Sequence, residues 1–209
     1  MKLTAEKLNR IDTVLDKLGL DFLDFKLEIK DHIACQIEEE MELNRSDFNS
    51  ALLLVLNQWK NKLVLSESLF ISNKRTFPKI VIQQLFKRFL IYNITVLVFI
   101  LLGTLFYINF LKDFENETLF TNSFKWIFSS SFFVFSILKF IIYLKKFKTS
   151  YSYMFNQNFW LFTIFFVFIF IRNSSFMNFF SFSILIAISP FLMYSFYKHK
   201  QFINKYQLE

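Results

Sequence analysis

Between Arg88 and Lys112 the chain runs through residues 89–111 without one charged side chain. As an α-helix these 23 residues reach roughly 34 Å, enough to cross a hydrocarbon core of about 30 Å. Three further runs share this character: 126–144, interrupted only by Lys139, about 155–171, and 176–197. A backbone inside lipid must satisfy its own N–H and C=O groups, and a helix does so within a single segment. Glycine and proline usage agrees. Two of each in 209 residues leave too little material for turn-rich β folds or a glycine-cradled nucleotide site. The expected fold class is all-α: a polytopic membrane protein with four transmembrane helices preceded by a small cytosolic three-helix domain.

Charge divides the chain. Residues 1–67 hold nine Lys/Arg and 13 Asp/Glu, whereas residues 68–209 hold 15 and four. We therefore expect an acidic three-helix domain over 1–67, a basic membrane-proximal linker or helix over 68–88, and the transmembrane domain over 89–209. The first twenty residues carry Lys2, Glu6, Lys7, Arg10, Asp12, Asp16 and Lys17, so no apolar signal region is expected there. Thr4 suits the start and Gly19 the end of a first helix with Leu8, Ile11, Leu15 and Leu18 on one face. Asp21 and Asn44 bracket a second, with Phe22, Phe25, Ile29, Ile33 and Ile37 facing inward. Ser46 begins a third, with Phe48, Ala51, Leu52, Val55, Leu56 and Trp59 on a wide apolar side. A core of this size is marginal by itself.

Orientation follows from the cations in the short flanks. Lys74, Arg75, Lys79, Lys87, Arg88, Lys145, Lys146, Lys148, Lys198, Lys200 and Lys205 lie on one side of the four spans, and only Lys112, Lys125 and Arg172 on the other. Both termini are expected in the cytosol, and residue usage suggests a bacterial inner membrane. Of these cations, Lys74, Arg75, Lys79, Lys87, Arg88, Lys145, Lys146 and Lys148 form the expected membrane-surface set, facing anionic headgroups, so membrane lipids are expected partners. Pro78 fits the first turn of a helix running on into the first span.

Helix two carries the densest set of chemical groups. At 100° per residue Asp24, Glu28, Asp31, His32, Cys35, Glu38, Glu39 and Glu42 fall within about 120°. Asp24, Glu28, Asp31, His32, Glu38, Glu39 and Glu42 read as a solvated, partner-binding face, with a protein partner or a second copy of the chain as occupant. Glu28, Asp31, His32 and Glu39 also supply the ligand types of a divalent-cation site, but no metal is expected. The lone Cys35 excludes a disulfide framework and reads as inert. No cofactor and no nucleic acid is expected.

The spans contain no Asp or Glu, so a carboxylate relay for transport has no members. Lys139 lies near a span end, where its stem lets the ammonium reach the headgroups. The span serines read as packing contacts, since no histidine or acid inside the spans activates them, and no enzymatic activity is expected. In a channel or transporter subunit, Lys139, Ser129 and Ser136 would instead line the pathway.

With Glu28-x-x-Asp31-His32, then Glu38-Glu39-Glu40, and Phe48 and Ala51 after a short turn, the first 60 or so residues resemble the HAAS-type helical domains at the cytosolic N-terminus of bacterial multi-pass membrane proteins. The resemblance implies a sensory or regulatory membrane protein whose helical domain touches a partner, with Glu28, Asp31, His32 and Glu39 at the corresponding polar positions. The expected function is that of an accessory or regulatory inner-membrane protein. A channel subunit and a metal-responsive sensor are the alternatives.

Overall fold

The computed structural model describes residues 2–68, 71, 76–111, 117–145, 147–171 and 174–208, and these are predominantly helical. The chain divides into two units, residues 1–88 with 148–150, and residues 89–147 with 151–209. The expected linker segment over 68–88 thus falls, where it is described, with the first unit.

In the first unit, α1 (Ala5–Lys17), α2 (Leu23–Asn44) and α3 (Phe48–Leu63) are amphipathic, and their apolar stripes meet. Ile11 and Leu15 of α1, Phe25, Ile29, Ile33 and Ile37 of α2, and Ala51, Leu52, Val55 and Trp59 of α3 are buried. Polar contacts between helices set the register. The Trp59 indole N–H donates to Gln36 Oε1 at 2.6 Å, and the Lys30 ammonium reaches Asp12 at 2.7 Å. Gly19 takes a left-handed φ of 80° after α1, where a side chain would be strained. Asp47 rather than Ser46 caps α3, accepting from the Asn49 amide at 3.1 Å. The Ser50 hydroxyl also donates to Asp47, and this bond foremost, with the smaller effect of the Asn49 amide, holds the Asp47 carboxyl below its usual range. Arg45, not Asn44, is the left-handed residue that stops α2.

Two two-residue strands, β1 (Leu65–Ser66) and β2 (Phe77–Pro78), pair antiparallel, a feature too short to leave a sequence signal. They deliver the chain to α4 (Lys79–Phe106), whose first amide donates to the Val64 carbonyl at 2.9 Å. Ile71, Phe77, Val81 and Leu85 are buried too. The marginal core is therefore larger than three helices alone supply, because the first unit runs on to Arg88.

The second unit comprises the rest of α4, which passes into a π-helical stretch at Tyr107–Leu111, with α5 (Glu117–Leu144), α6 (Ser150–Ile171, from Tyr151 onward) and α7 (Ser175–Leu208). Four helices are long and apolar enough to cross a membrane. Their outward faces carry Ile94, Leu97, Leu102, Phe133, Ile137, Trp160 and Tyr197 exposed, a surface that lipid solvates and water does not. Helix α7 is central: 50% of its most apolar stretch is buried, against 11% for α4. Among the described residues the most extensive helix–helix packing is between α5 and α7. Small buried side chains lie on both helices, Ser129 on α5 and Ser181 and Ala187 on α7, whereas Ser183 of α7 lies against Gly103 of α4. Helices α6 and α7 follow one another in sequence but meet through bulky rings, such as Phe165 against Phe180 at 5.9 Å between centroids. Phe128 and Phe162 meet edge to face in the interior at 4.6 Å, and half-buried rings stack around them, Phe132 on Phe166 at 4.0 Å and Phe124 on Phe182 at 4.2 Å.

Candidate functional site

Helix α2 has only two basic residues, Lys26 and Lys30, and both turn toward α1, where they pair with Asp16 and Asp12. The opposite side is acidic. Glu28, Asp31, His32, Cys35, Glu39 and Glu42 are all exposed, at spacings of three and four that keep them on one face. A shallow concavity beside the C-terminal half is lined by Cys35, Glu38, Glu39, Glu42 and Leu43. Glu38 is half-buried there, and its Oε1 accepts from the Leu3 amide at 2.8 Å, so one of its oxygens is occupied within the chain.

Asp24 lies on the same angular stripe, one turn before Glu28, yet it is buried, with 5% of its surface exposed. Its Oδ1 accepts from the backbone amide of Ser150 at 2.7 Å, and its Oδ2 accepts from the Ser150 hydroxyl. The Ser150 hydroxyl in turn accepts from Arg88 Nη1 at 2.7 Å, and that guanidinium stands 4.0 Å from Asp24 Oδ2 and 5.2 Å from the centre of the Phe25 ring. Because Ser150 is the first residue of α6, Asp24 acts as its N-terminal cap from elsewhere in the sequence. The exchange is mutual. The first amide of α2, at Leu23, donates to the Lys148 carbonyl at 2.9 Å, while Phe22 supplies no side-chain cap. Two helix N-termini carry partial positive charge, and the carboxylate of Asp24 answers both of them and the Arg88 guanidinium. Two hydrogen bonds and a nearby cation offset the desolvation of this buried charge.

These contacts separate the sequence-predicted residues. Asp24 is buried and engaged inside the first unit rather than presented to a partner, and half-buried Arg88 donates to Ser150 beside it. Glu28, Asp31, His32, Glu39 and Glu42 remain exposed together. Among the described residues, no group of three or more His, Cys, Asp or Glu side chains comes together to hold a metal, so Glu28, Asp31, His32 and Glu39 share a face without converging. Of the membrane-surface set, Lys79, Lys87, Lys145 and Lys148 are exposed, whereas Lys74, Arg75 and Lys146 lie outside the described residues.

The pathway residues are also placed. The Ser129 and Ser136 hydroxyls each donate at 2.8 Å to a carbonyl of their own helix, at Lys125 and Phe132. The Lys139 ammonium sits over the rings of Phe159 and Trp160, 4.5 and 4.9 Å from their centres. Spacing along the chain offers no route to the Asp24–Ser150–Arg88 cluster, whose members come from α2, α4 and α6. The one local hint is an aspartate near a helix N-terminus.

No protein-family model, no curated protein and no solved structure matches this chain. Fold and site define it by class: an all-α membrane protein with four helices able to span a bilayer and a separate helical unit bearing an exposed acidic face.

Proposed function

We propose that this chain is an accessory or regulatory protein of a bacterial inner membrane, with both termini in the cytosol, whose first unit binds a protein partner through the acidic face of α2. The observation that carries this reading is the segregation of charge on α2. Lys26 and Lys30 are engaged with α1, so Glu28, Asp31 and Glu39 are exposed on a face where their own helix places no lysine or arginine. Asp24 illustrates what such a stripe accepts, a helix N-terminus and a guanidinium, so the partner we expect presents a basic or helix-N-terminal surface. The resemblance of the first 60 residues to HAAS-type domains points in the same direction.

Full-length protein extracted in mild detergent should carry its partner through purification, and Asp31→Lys combined with Glu39→Lys should release it. An unchanged set of copurifying proteins overturns the proposal. Reporter fusions after Leu144 test the orientation, which fails if they are active outside the cell.

A further inference from the structure

At the end of the second unit that carries Lys145 and Lys198, a cavity of about 150 Å³ lies between the last turns of α5 and the distal part of α7. Its wall is largely apolar, from Ile141, Phe196 and Ile203, and includes the buried ring of His199. Exposed Lys145 and Lys200 supply its positive charge, with Asn204 as a further polar group. The sequence contains no Asp or Glu between Thr118 and Leu208, so neither α6, α7 nor α5 beyond Glu117 offers these lysines a carboxylate. The neighbouring surface is apolar and aromatic, with Tyr143, Leu144, Tyr194 and Tyr197 exposed.

We propose that this cavity binds one anionic phospholipid, its phosphate held between Lys145 and Lys200 and its first methylenes against Ile141, Phe196 and Ile203. Basic pockets between helices at a membrane boundary suit such headgroups. Size selects the part of the ligand that enters. Whole small molecules occupy pockets of roughly 300–1,000 Å³, so this cavity takes a headgroup end while the acyl chains lie along the exposed aromatic surface. The apolar wall distinguishes a lipid from a free phosphate ester, which has nothing to place there. The site is independent of the acidic face on α2.

The test is native mass spectrometry of the full-length protein in a neutral detergent, titrated separately with phosphatidylglycerol, phosphatidylcholine and glycerol phosphate. One phosphatidylglycerol should bind in preference to phosphatidylcholine, and glycerol phosphate should bind far more weakly. Lys145→Gln with Lys200→Gln should weaken phosphatidylglycerol binding roughly thirtyfold, the effect of two interfacial charges. Lys145→Arg with Lys200→Arg should retain it, as should Lys79→Gln with Lys87→Gln, which removes charge elsewhere. Both pocket lysines are exposed, and unchanged chromatographic elution and thermal unfolding confirm that the variants fold. Equal binding of the two phospholipids, or wild-type affinity in the double glutamine variant, overturns the proposal. Glycerol phosphate binding as tightly as the lipid overturns the lipid assignment.

Discussion

Asp24 offers the most direct test of how the first unit is held. Replacing it with alanine removes the acceptor for the Ser150 amide and leaves the Arg88 guanidinium without its nearby carboxylate. Loss of a helix cap costs about 1 kcal/mol. Breaking a fully buried ion pair costs about 3–5 kcal/mol, but Arg88 keeps 32% of its side chain exposed, so water recovers much of that and about 1–2 kcal/mol remains. The sum, about 2–3 kcal/mol, corresponds to roughly a thirty- to 150-fold rise in local opening. Amide hydrogen exchange on the full-length protein in detergent should show that rise at Ser150. The Leu23 amide, which donates to the neighbouring Lys148 carbonyl, should follow it. Asp24→Asn keeps an oxygen for the amide while losing the charge, and should raise exchange only about fivefold. Exchange at Ser150 that is the same in wild type and Asp24→Ala refutes the reasoning, because the cap would then carry no free energy.

Three other perturbations probe separate parts of the fold. At Gly103 an added Cβ would overlap the Ser183 hydroxyl and lie 2.8 Å from its Cβ, so Gly103→Ala should destabilise the second unit by about 1–3 kcal/mol in thermal unfolding, with partial recovery on adding Ser183→Gly. Trp59→Phe keeps most of the ring but removes the donor to Gln36, and denaturant unfolding of the first unit should show a loss of about 1 kcal/mol. Because folding lowers the Asp47 pKa, the cap of α3 contributes fully above the ordinary aspartate range and fades as pH falls through the lowered value. The Asn49 amide should lose protection on acidification to that range, and Asp47→Asn should abolish this pH dependence.

The helices of this protein are legible in its sequence because their causes are local. Charge-free runs long enough to cross a bilayer, and apolar residues at spacings of three and four, specify spans and amphipathic helices wherever they occur. Ile29, Ile33 and Ile37 are buried as their spacing demands, and Gly19 ends α1 as its missing side chain allows. Capping was less legible, since Ser46 and Asp47 are both good caps and only the backbone path into α3 selects Asp47.

Other outcomes depend on residues far apart in the chain. Angular position puts Asp24 with Glu28, Asp31, Glu39 and Glu42, but Ser150 and Arg88 engage it, and Leu3 does the same for Glu38. Sequence order places α6 beside α7, yet α5 packs against α7 more extensively, in part through the stack of Phe124 on Phe182. Where helices form and which of their faces are apolar can thus be read from the residue order alone, since both follow from side chains a few residues apart. Which charges are engaged inside the protein, which remain exposed and which helices meet emerged only from the folded chain, because those depend on shape and on partners from ten to 126 residues away.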